Sequence, residues 1–138
     1  MARVMAFDAG IKRVGIAVTD PLQIIAQALD TVEAAQLISY VKKYIGTETV
    51  ECFVVGEPKN LDGTVTDGTP VADKLVADLG HHFPAIPVVR VDERFTSSMA
   101  LQSMIDNGIR QKQRRDKAEL DKVSAALILQ SYLERRTR

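Results

Sequence analysis

The chain has 138 residues, 46% hydrophobic and 26% charged, the size and balance of one domain able to bury a core. No apolar stretch reaches the roughly 20 residues that span a bilayer, and the N-terminus lacks a basic segment followed by an apolar region and a small-residue cleavage site, so a soluble, unexported, cytoplasmic protein is expected. The 18 Lys/Arg and 18 Asp/Glu cancel, yet residues 1–109 carry 9 cations against 14 anions and residues 110–138 carry 9 against 4, which sets a basic C-terminal end beside an acidic body.

Arg3 to Asp8 reads as a strand and Arg13 to Thr19 as a second, joined by a connection short enough for a hairpin, so the two are expected to be antiparallel. After the Thr-Asp-Pro punctuation, Ile24 to Val32 makes a third strand. Glu33 to Ile45 then sets Leu37, Ile38, Val41 and Ile45 at helical spacing, with Gly46 expected to stop the helix. Val50 to Gly56 is almost wholly apolar, as in a strand covered on both faces, and it holds the single cysteine, Cys52. One cysteine excludes a disulfide framework and a zinc site, and its apolar neighbours make it a core thiol. A loop rich in Gly, Asn, Asp and Thr follows.

Val71 to His82 reads as a helix with Val71, Leu75, Val76 and Leu79 inward, and Ile86 to Glu93 as a fifth strand. Ser97 or Ser98 can cap a helix that runs to Asn107 and ends at Gly108. A basic connector leads to a last helix from Glu119 to Arg135. Val123, Ala126, Leu127, Gln130 and Leu133 line one side of it, and Ala125, Ile128 and Leu129 widen the apolar face.

This order predicts a single α/β domain over residues 1–138, with a five-stranded mixed sheet, three antiparallel strands plus two parallel, and helices on its faces. In such a sheet the ligand site is expected at the carboxyl ends of the parallel strands. Asp8, Glu57 and Glu93 end the first, fourth and fifth strands, and Asp121 opens the last helix. Carboxylates gathered without a cation repel one another, so their convergence calls for Mg²⁺ or Mn²⁺. Two such ions about 4 Å apart can activate water and stabilise the leaving oxygen of a phosphodiester. Each acid also has an ordinary reading: Asp8 bonding turn amides, Asp92 or Glu93 pairing with Arg94, Asp121 in a helix's first turn. His81 and His82 have no third ligand at metal spacing and read as a polar helix end. With four Phe, three Tyr and no Trp, base stacking is a poor route to binding, which leaves phosphate contacts and shape.

The segments RVMAFDAGIKRVGIAVTD, VVGEPKNLDGT, VDERFTSSMA and LDKVSAALILQSYLE, in this order and over nearly the whole chain, resemble the YqgF family, also called RuvX. The resemblance implies a ribonuclease H-like fold with helices on both faces of the sheet. It implies a hydrolase, a metal-dependent nuclease that processes the 5′ end of pre-16S ribosomal RNA in ribosome biogenesis, with Holliday junction resolution on branched DNA as the alternative. It further implies Asp8, Glu93 and Asp121 as the catalytic acids that bind Mg²⁺ or Mn²⁺. Lys12, Arg13, Asn60, Asp62 and Arg94 would line the substrate groove, and Lys112, Arg114 and Arg115 would extend the surface that positions the phosphate backbone. The implied partners are nucleic acid and ribosomal particles, with the chain a monomer or a homodimer and no membrane involved.

Two departures stand out. Where the family reads Gly-Leu-Pro this chain has Gly-Glu-Pro, which sets Glu57 near the expected acids as an auxiliary metal ligand or, more plainly, as a loop acid facing solvent. The stretch after LDGT also lacks an arginine expected in the phosphate grip. Two other classes compete. An actin-like nucleotide-binding module shares the opening Asp-x-Gly but needs two such domains, and a non-catalytic nucleic-acid-binding adaptor would use the acids only to position the turn.

Overall fold

The computed structural model describes residues 2–57, 69–92 and 117–136, the last segment with side chains over 122–135. In chain order its elements are strands β1 (Arg3–Ala9), β2 (Arg13–Thr19) and β3 (Ala26–Glu33), a 3-10 turn (Ala34–Gln36), helix α1 (Leu37–Thr47), strand β4 (Val50–Glu57), helix α2 (Thr69–His82), strand β5 (Val88–Asp92) and helix α3 (Lys117–Arg136). The strands form one sheet in the order β3-β2-β1-β4-β5. β1 and β2 pair antiparallel, as do β2 and β3, while β4 runs parallel to both β1 and β5. The expected mixed sheet is therefore present. The helix expected over 97–107 and the basic connector after it lie outside the described residues.

The alternation of side chains along β1 divides the interior in two. Met5 and Phe7 point to one face, where they meet Val14, Ile16, Phe53 and Val55 from the neighbouring strands, Leu37 and Val41 from α1, and Leu75 and Leu79 from α2. Val4 and Ala6 point to the other face, where Ala17, Cys52, Val54 and Val91 receive Ala125, Ile128 and Leu129 of α3. With both faces covered, β1 and β4 carry apolar residues at successive positions instead of every second one. Phe53 holds the larger core together. It is fully buried, its ring lies 5.7 Å from that of Phe7 and 5.6 Å from that of Phe83, and its amide donates to the Pro87 carbonyl at 2.9 Å. The α3 face of the sheet is built from small side chains, Ala6 and Ala17, opposite Ala125, and small residues let a helix lie close to a sheet.

Several boundaries differ from the sequence expectation. α1 is preceded by a 3-10 turn and runs through Gly46 to Thr47. Its end is made by Glu48, whose amide donates to the Tyr44 carbonyl at 2.9 Å, and by the Thr47 hydroxyl, which donates to the same oxygen at 3.1 Å. β5 begins at Val88 and not Ile86, because Pro87 has no N–H to give a ladder. α2 begins at Thr69, which seats Pro70 in its first turn, a position where a missing N–H costs nothing. In α3 the buried line is Ser124, Ala125, Ile128, Leu129 and Leu133; Val123, Ala126 and Leu127 are half-buried, and Gln130 is exposed. The centre of the apolar face lies on the residues expected only to widen it. Cys52 is buried, as expected, with its Sγ 4.0 Å from the Tyr132 hydroxyl.

The connection from β2 to β3 is tightly held. Asp20 Oδ1 accepts hydrogen bonds from the Ile24 and Ile25 amides, both 2.8 Å, and Oδ2 accepts one from Leu22 at 3.2 Å. These bonds, that from Ile25 foremost, hold the Asp20 carboxyl below its ordinary value of 3.8. Gln23 adopts a φ of 59°, a left-handed conformation that costs an ordinary residue about 1–2 kcal/mol. Its side-chain amide donates to the Ala2 carbonyl at 2.7 Å and to Glu51, which offsets that strain. Among the described residues no helix is long and apolar enough to cross a membrane.

Two outcomes follow from this packing. Phe53→Ala should lower unfolding free energy by about 3–5 kcal/mol in urea titrations followed by circular dichroism, because the cavity it leaves lies between two other rings. Tyr40 gives a pH signature: burial first, and then the nearby Asp30 carboxylate, push its phenol up to about 12. Its folded pKa lies above the ordinary value of 10.0, so its contribution to stability is complete below pH 10.0 and is lost as pH rises through about 12. A tyrosinate absorbance titration should show Tyr40 titrating late, along with Tyr44, which burial also raises, and Asp30→Asn should bring Tyr40 only part of the way back.

Candidate metal and nucleic-acid site

Asp8 is the next residue after Ala6 on the α3 face of β1, half-buried at the carboxyl end of the strand. Its ladder partner in β2 is Gly15. On the other side Phe7 pairs with Val55, so the next step of the same register brings Asp8 beside Gly56. The carboxylate thus stands between two strand positions without side chains.

The turn after Asp8 is built for close approach. A Cβ on Gly10 would come within 2.5 Å of the Arg13 carbonyl oxygen, nearer than any side chain tolerates. The Lys12 carbonyl accepts a hydrogen bond from the Ala34 amide at 2.9 Å, which ties the turn to the start of the 3-10 segment. Lys12 is exposed at the tip, and Arg13 is half-buried. Alternation along β2 puts Arg13 on the same face as Gly15 and Ala17, hence on the Asp8 side of the sheet. A guanidinium there can take a phosphate in two hydrogen bonds while Lys12 supplies a point charge.

Glu57 ends β4 as expected, but on the other face of the sheet. It follows Phe53 and Val55 on the α1 and α2 side of β4, the face opposite Asp8. It belongs to the strand, not to a loop, and its Oε1 lies 3.7 Å from Arg90 Nη2. Arg90 also pairs with Asp73 of α2. Glu57 therefore belongs to a charge link between β4, β5 and α2, with Asp92 opposite it in the ladder. A Gly-Glu-Pro string cannot disclose this, because one residue of strand length decides which face the acid meets.

The other expected residues lie elsewhere in the chain. Glu93, Arg94, Asn60, Asp62, Lys112, Arg114 and Arg115 fall outside the described residues. Asp121 falls in α3, one turn before Ala125, and its side chain is not among those described. The direction of α3 is informative all the same. Gln130, Leu133 and Glu134 lie with Gln23 to Ala26 at the end of the sheet where β1 begins, so the helix starts toward the end where Asp8 sits. Among the described residues no three of His, Cys, Asp or Glu form a metal-holding group, Asp8 being the one acid of the expected triad with a described side chain.

A cavity of about 310 Å³ lies on the other side of the sheet, between the Gly10 turn, α1 and α2, with Val14, Leu37, Ile38 and Leu75 in its walls. Its lining is mostly apolar but includes Lys74 and Asp78 of α2, and Asp8 is not part of it. A second hollow of about 460 Å³ runs between Ile11, Lys12 and Arg13 and the segment Glu33 to Ala35. This one carries the two cations, and sequence patterning missed it because it is made where the turn meets the start of the 3-10 segment.

Comparison with known proteins agrees with this geometry. A family model described as RuvX, Holliday junction resolvase, matches residues 2–135. A protein of Christiangramia forsetii named "Putative pre-16S rRNA nuclease" is 48% identical over 133 residues, which cover 96% of this chain and 98% of that one. One of the same name from Flavobacterium psychrophilum is 45% identical over 136 residues, 99% of each chain. Among solved structures, T. thermophilus RuvC in complex with a Holliday junction substrate superposes with a TM-score of 0.61 at 19% identity, covering 99% of this chain and 96% of that chain. That likeness carries the fold, which is the ribonuclease H-like one the motifs implied. A propionate kinase from Francisella tularensis gives a TM-score of 0.51 at 10% identity over 70% of this chain but 38% of its own.

The turn geometry makes a paired test. Gly10→Ala should cost about 1–3 kcal/mol of unfolding free energy, since the Arg13 backbone must move. Gly46→Ala, with nothing within 4 Å of the added carbon and a helical backbone, should gain about 0.5–1 kcal/mol. Urea midpoints of the two variants should move in opposite directions.

Proposed function

The chain belongs to the RuvX family, and from that premise we propose that it is a divalent-metal-dependent nuclease that cuts phosphodiester bonds in structured RNA, maturing the 5′ end of pre-16S ribosomal RNA in the cytoplasm. The observation that carries the reading is Asp8, a half-buried carboxylate near the end of the central strand, with Gly15 and Gly56 beside it in the adjoining strands and Lys12 and Arg13 in the turn and strand that follow.

A hard cation fits that donor, because Mg²⁺ and Mn²⁺ prefer carboxylate oxygens and the adjoining strand positions, Gly15 and Gly56, carry no side chain. Asp8, Glu93 and Asp121 would hold it. When bound, such an ion supplies Lewis acidity toward water and toward the charge that builds on the phosphoryl oxygens. The remaining work belongs to the chain. Arg13 and Lys12 grip the scissile strand through its phosphates, with Gly10 letting the backbone come close. Arg94, Asn60 and Asp62 would complete the groove, and Lys112, Arg114 and Arg115 would hold the flanking backbone without reading sequence. The basic C-terminal end suits a polyanion, and a pre-ribosomal particle presents one in folded form. Glu57, held by Arg90, serves the scaffold and not the ion.

The test uses purified protein with an RNA that spans the 5′ end of the 16S precursor and with a four-way DNA junction, each with and without Mg²⁺. Wild type should cut the RNA only with the ion present. Asp8→Asn should lose at least about a hundredfold in rate with its melting curve unchanged, and Glu57→Gln should cut within a fewfold of wild type. Retained cleavage by Asp8→Asn would end the metal-site assignment. Preferential cutting of the junction would move the substrate to branched DNA. RNA binding that is equal in chelator, without any cleavage, would make the chain an adaptor.

A further inference from the structure

The tip of the turn after Asp8 carries a large apolar side chain into water. Ile11, between Gly10 and Lys12, is 80% exposed, the most exposed of the large hydrophobic residues described. A single exposed isoleucine says little by itself, but its place says more. Ile11 stands three residues past Asp8, and Lys12 and Arg13 follow it directly. Its turn is held on both sides: a Cβ on Gly10 would come within 2.5 Å of the Arg13 carbonyl oxygen, and the Lys12 carbonyl accepts from the Ala34 amide at 2.9 Å. Ile11 also borders the apolar cavity under α1 and α2, yet that cavity leaves it in water.

Beside Ile11 opens the hollow of about 460 Å³ that reaches to Glu33, Ala34 and Ala35, a volume in the range that takes a small organic ring. Its walls are of three kinds: apolar from Ile11 and the two alanines, cationic from Lys12 and Arg13, and anionic from Glu33. Glu33 is the ladder partner of Arg13, so both stand on the Asp8 side of the sheet. A carboxylate next to a phosphate grip repels a polyanion unless it meets a hydrogen-bond donor. In nucleic acid the donors are base N–H groups and, in RNA, the 2′-hydroxyl, and the apolar walls favour the base.

We propose that Ile11 is a wedge that enters the base stack of the bound nucleic acid near the cut phosphate, and that the hollow receives the base it displaces, with Glu33 accepting a hydrogen bond from that base's exocyclic amino group. This assignment rests on the nuclease reading and adds to it the recognition of a base. Aliphatic side chains serve as wedges in proteins that unstack nucleic acid, a use that needs no aromatic platform. From Asp8 to Ile11 the chain spans at most about 10 Å, and a strand rises about 3.4 Å per nucleotide, so the displaced base lies within about three nucleotides of the phosphate at Asp8. Lys12 and Arg13 hold the backbone while the base turns out. Cytosine, adenine and guanine carry the amino group that Glu33 needs, whereas uracil and thymine do not.

The test places 2-aminopurine, a fluorescent base with an amino group, at each nucleotide around the cut in an RNA spanning the 5′ end of the 16S precursor and in a four-way DNA junction. With Asp8→Asn protein, so that the strand stays whole, binding should raise fluorescence at least about twofold at one position, the sign of an unstacked base. Adding Ile11→Ala should abolish the rise, while affinity set by phosphates falls no more than about threefold. With Asp8 intact, substrates bearing uracil or thymine at that position should be cut at least about tenfold more slowly than those bearing cytosine, and Glu33→Ala should bring the two rates within about twofold of each other. Ile24→Ala, at an isoleucine 67% exposed at the other end of the sheet, should leave both readouts unchanged. Nucleic acid bound and cut without a fluorescence rise, a rise that survives Ile11→Ala, a base preference that survives Glu33→Ala, or equal losses with Ile24→Ala would overturn the proposal and leave the nuclease reading standing. A wild type that neither binds nor cuts either nucleic acid would overturn that reading and the proposal together.

Discussion

Strand β1 lies third in a sheet of five with helices over both its faces, and the alternation of its side chains determines which side of the molecule every neighbouring residue serves. Met5 and Phe7 commit one face to the larger core with α1 and α2. Val4 and Ala6 commit the other to α3, and Asp8, the next residue in that second series, is carried out of the core onto the face that α3 covers. A one-residue shift of β1 would send Asp8 toward the apolar cavity near Leu37 and Leu75, where a carboxylate has no use and a high desolvation cost. The register against β2 and β4 thus decides on which face of the sheet this carboxylate lies.

Smallness on the α3 face serves the same end. Ala6, Ala17 and Ala125 bring the helix down onto the strands, while Gly15 and Gly56 remove side chains from beside Asp8. The α1 and α2 face has the opposite character, with Phe7, Phe53 and Phe83 in edge contact and Leu75 and Leu79 above them. Bulk and apolar area are concentrated where they stabilise the fold. Alanines and glycines are gathered on the Asp8 face.

Strand number and pairing sense were legible in the sequence because β1, β2, β4 and β5 are largely apolar runs closed by Gly or Asp, and because a short connection permits only an antiparallel pair. Asp8, Lys12 and Arg13 were legible as a polar interruption between two such runs. Faces were less so. Glu57 sits at a strand end as expected, but its orientation depends on where the pleat of β4 begins, and the strand runs one residue past Gly56. For α3 the apolar residues from Val123 to Leu133 are spread over more than one face, so the periodicity alone does not choose between them, and the sheet meets the one bearing Ala125, Ile128 and Leu129. Gly46 reads as a helix stop from composition, yet the Tyr44 carbonyl had better partners in Glu48 and Thr47.

The exposed Ile24 and Ile25 show where patterning misleads most. Two isoleucines before a strand read as the strand itself, and the sequence expectation began the third strand at Ile24. Asp20 prevents that: by accepting both their amides it keeps the backbone in a turn, so the ladder to β2 starts only at Ala26. One carboxylate at this end of the sheet spends its hydrogen bonds on shaping a loop, and another at the far end, Asp8, has a glycine beside it in each adjoining strand. The two acids look alike in sequence, each closing an apolar run before a turn. What separates their roles is the residue pattern around them: amides in reach at Asp20, glycines in the adjoining strands at Asp8.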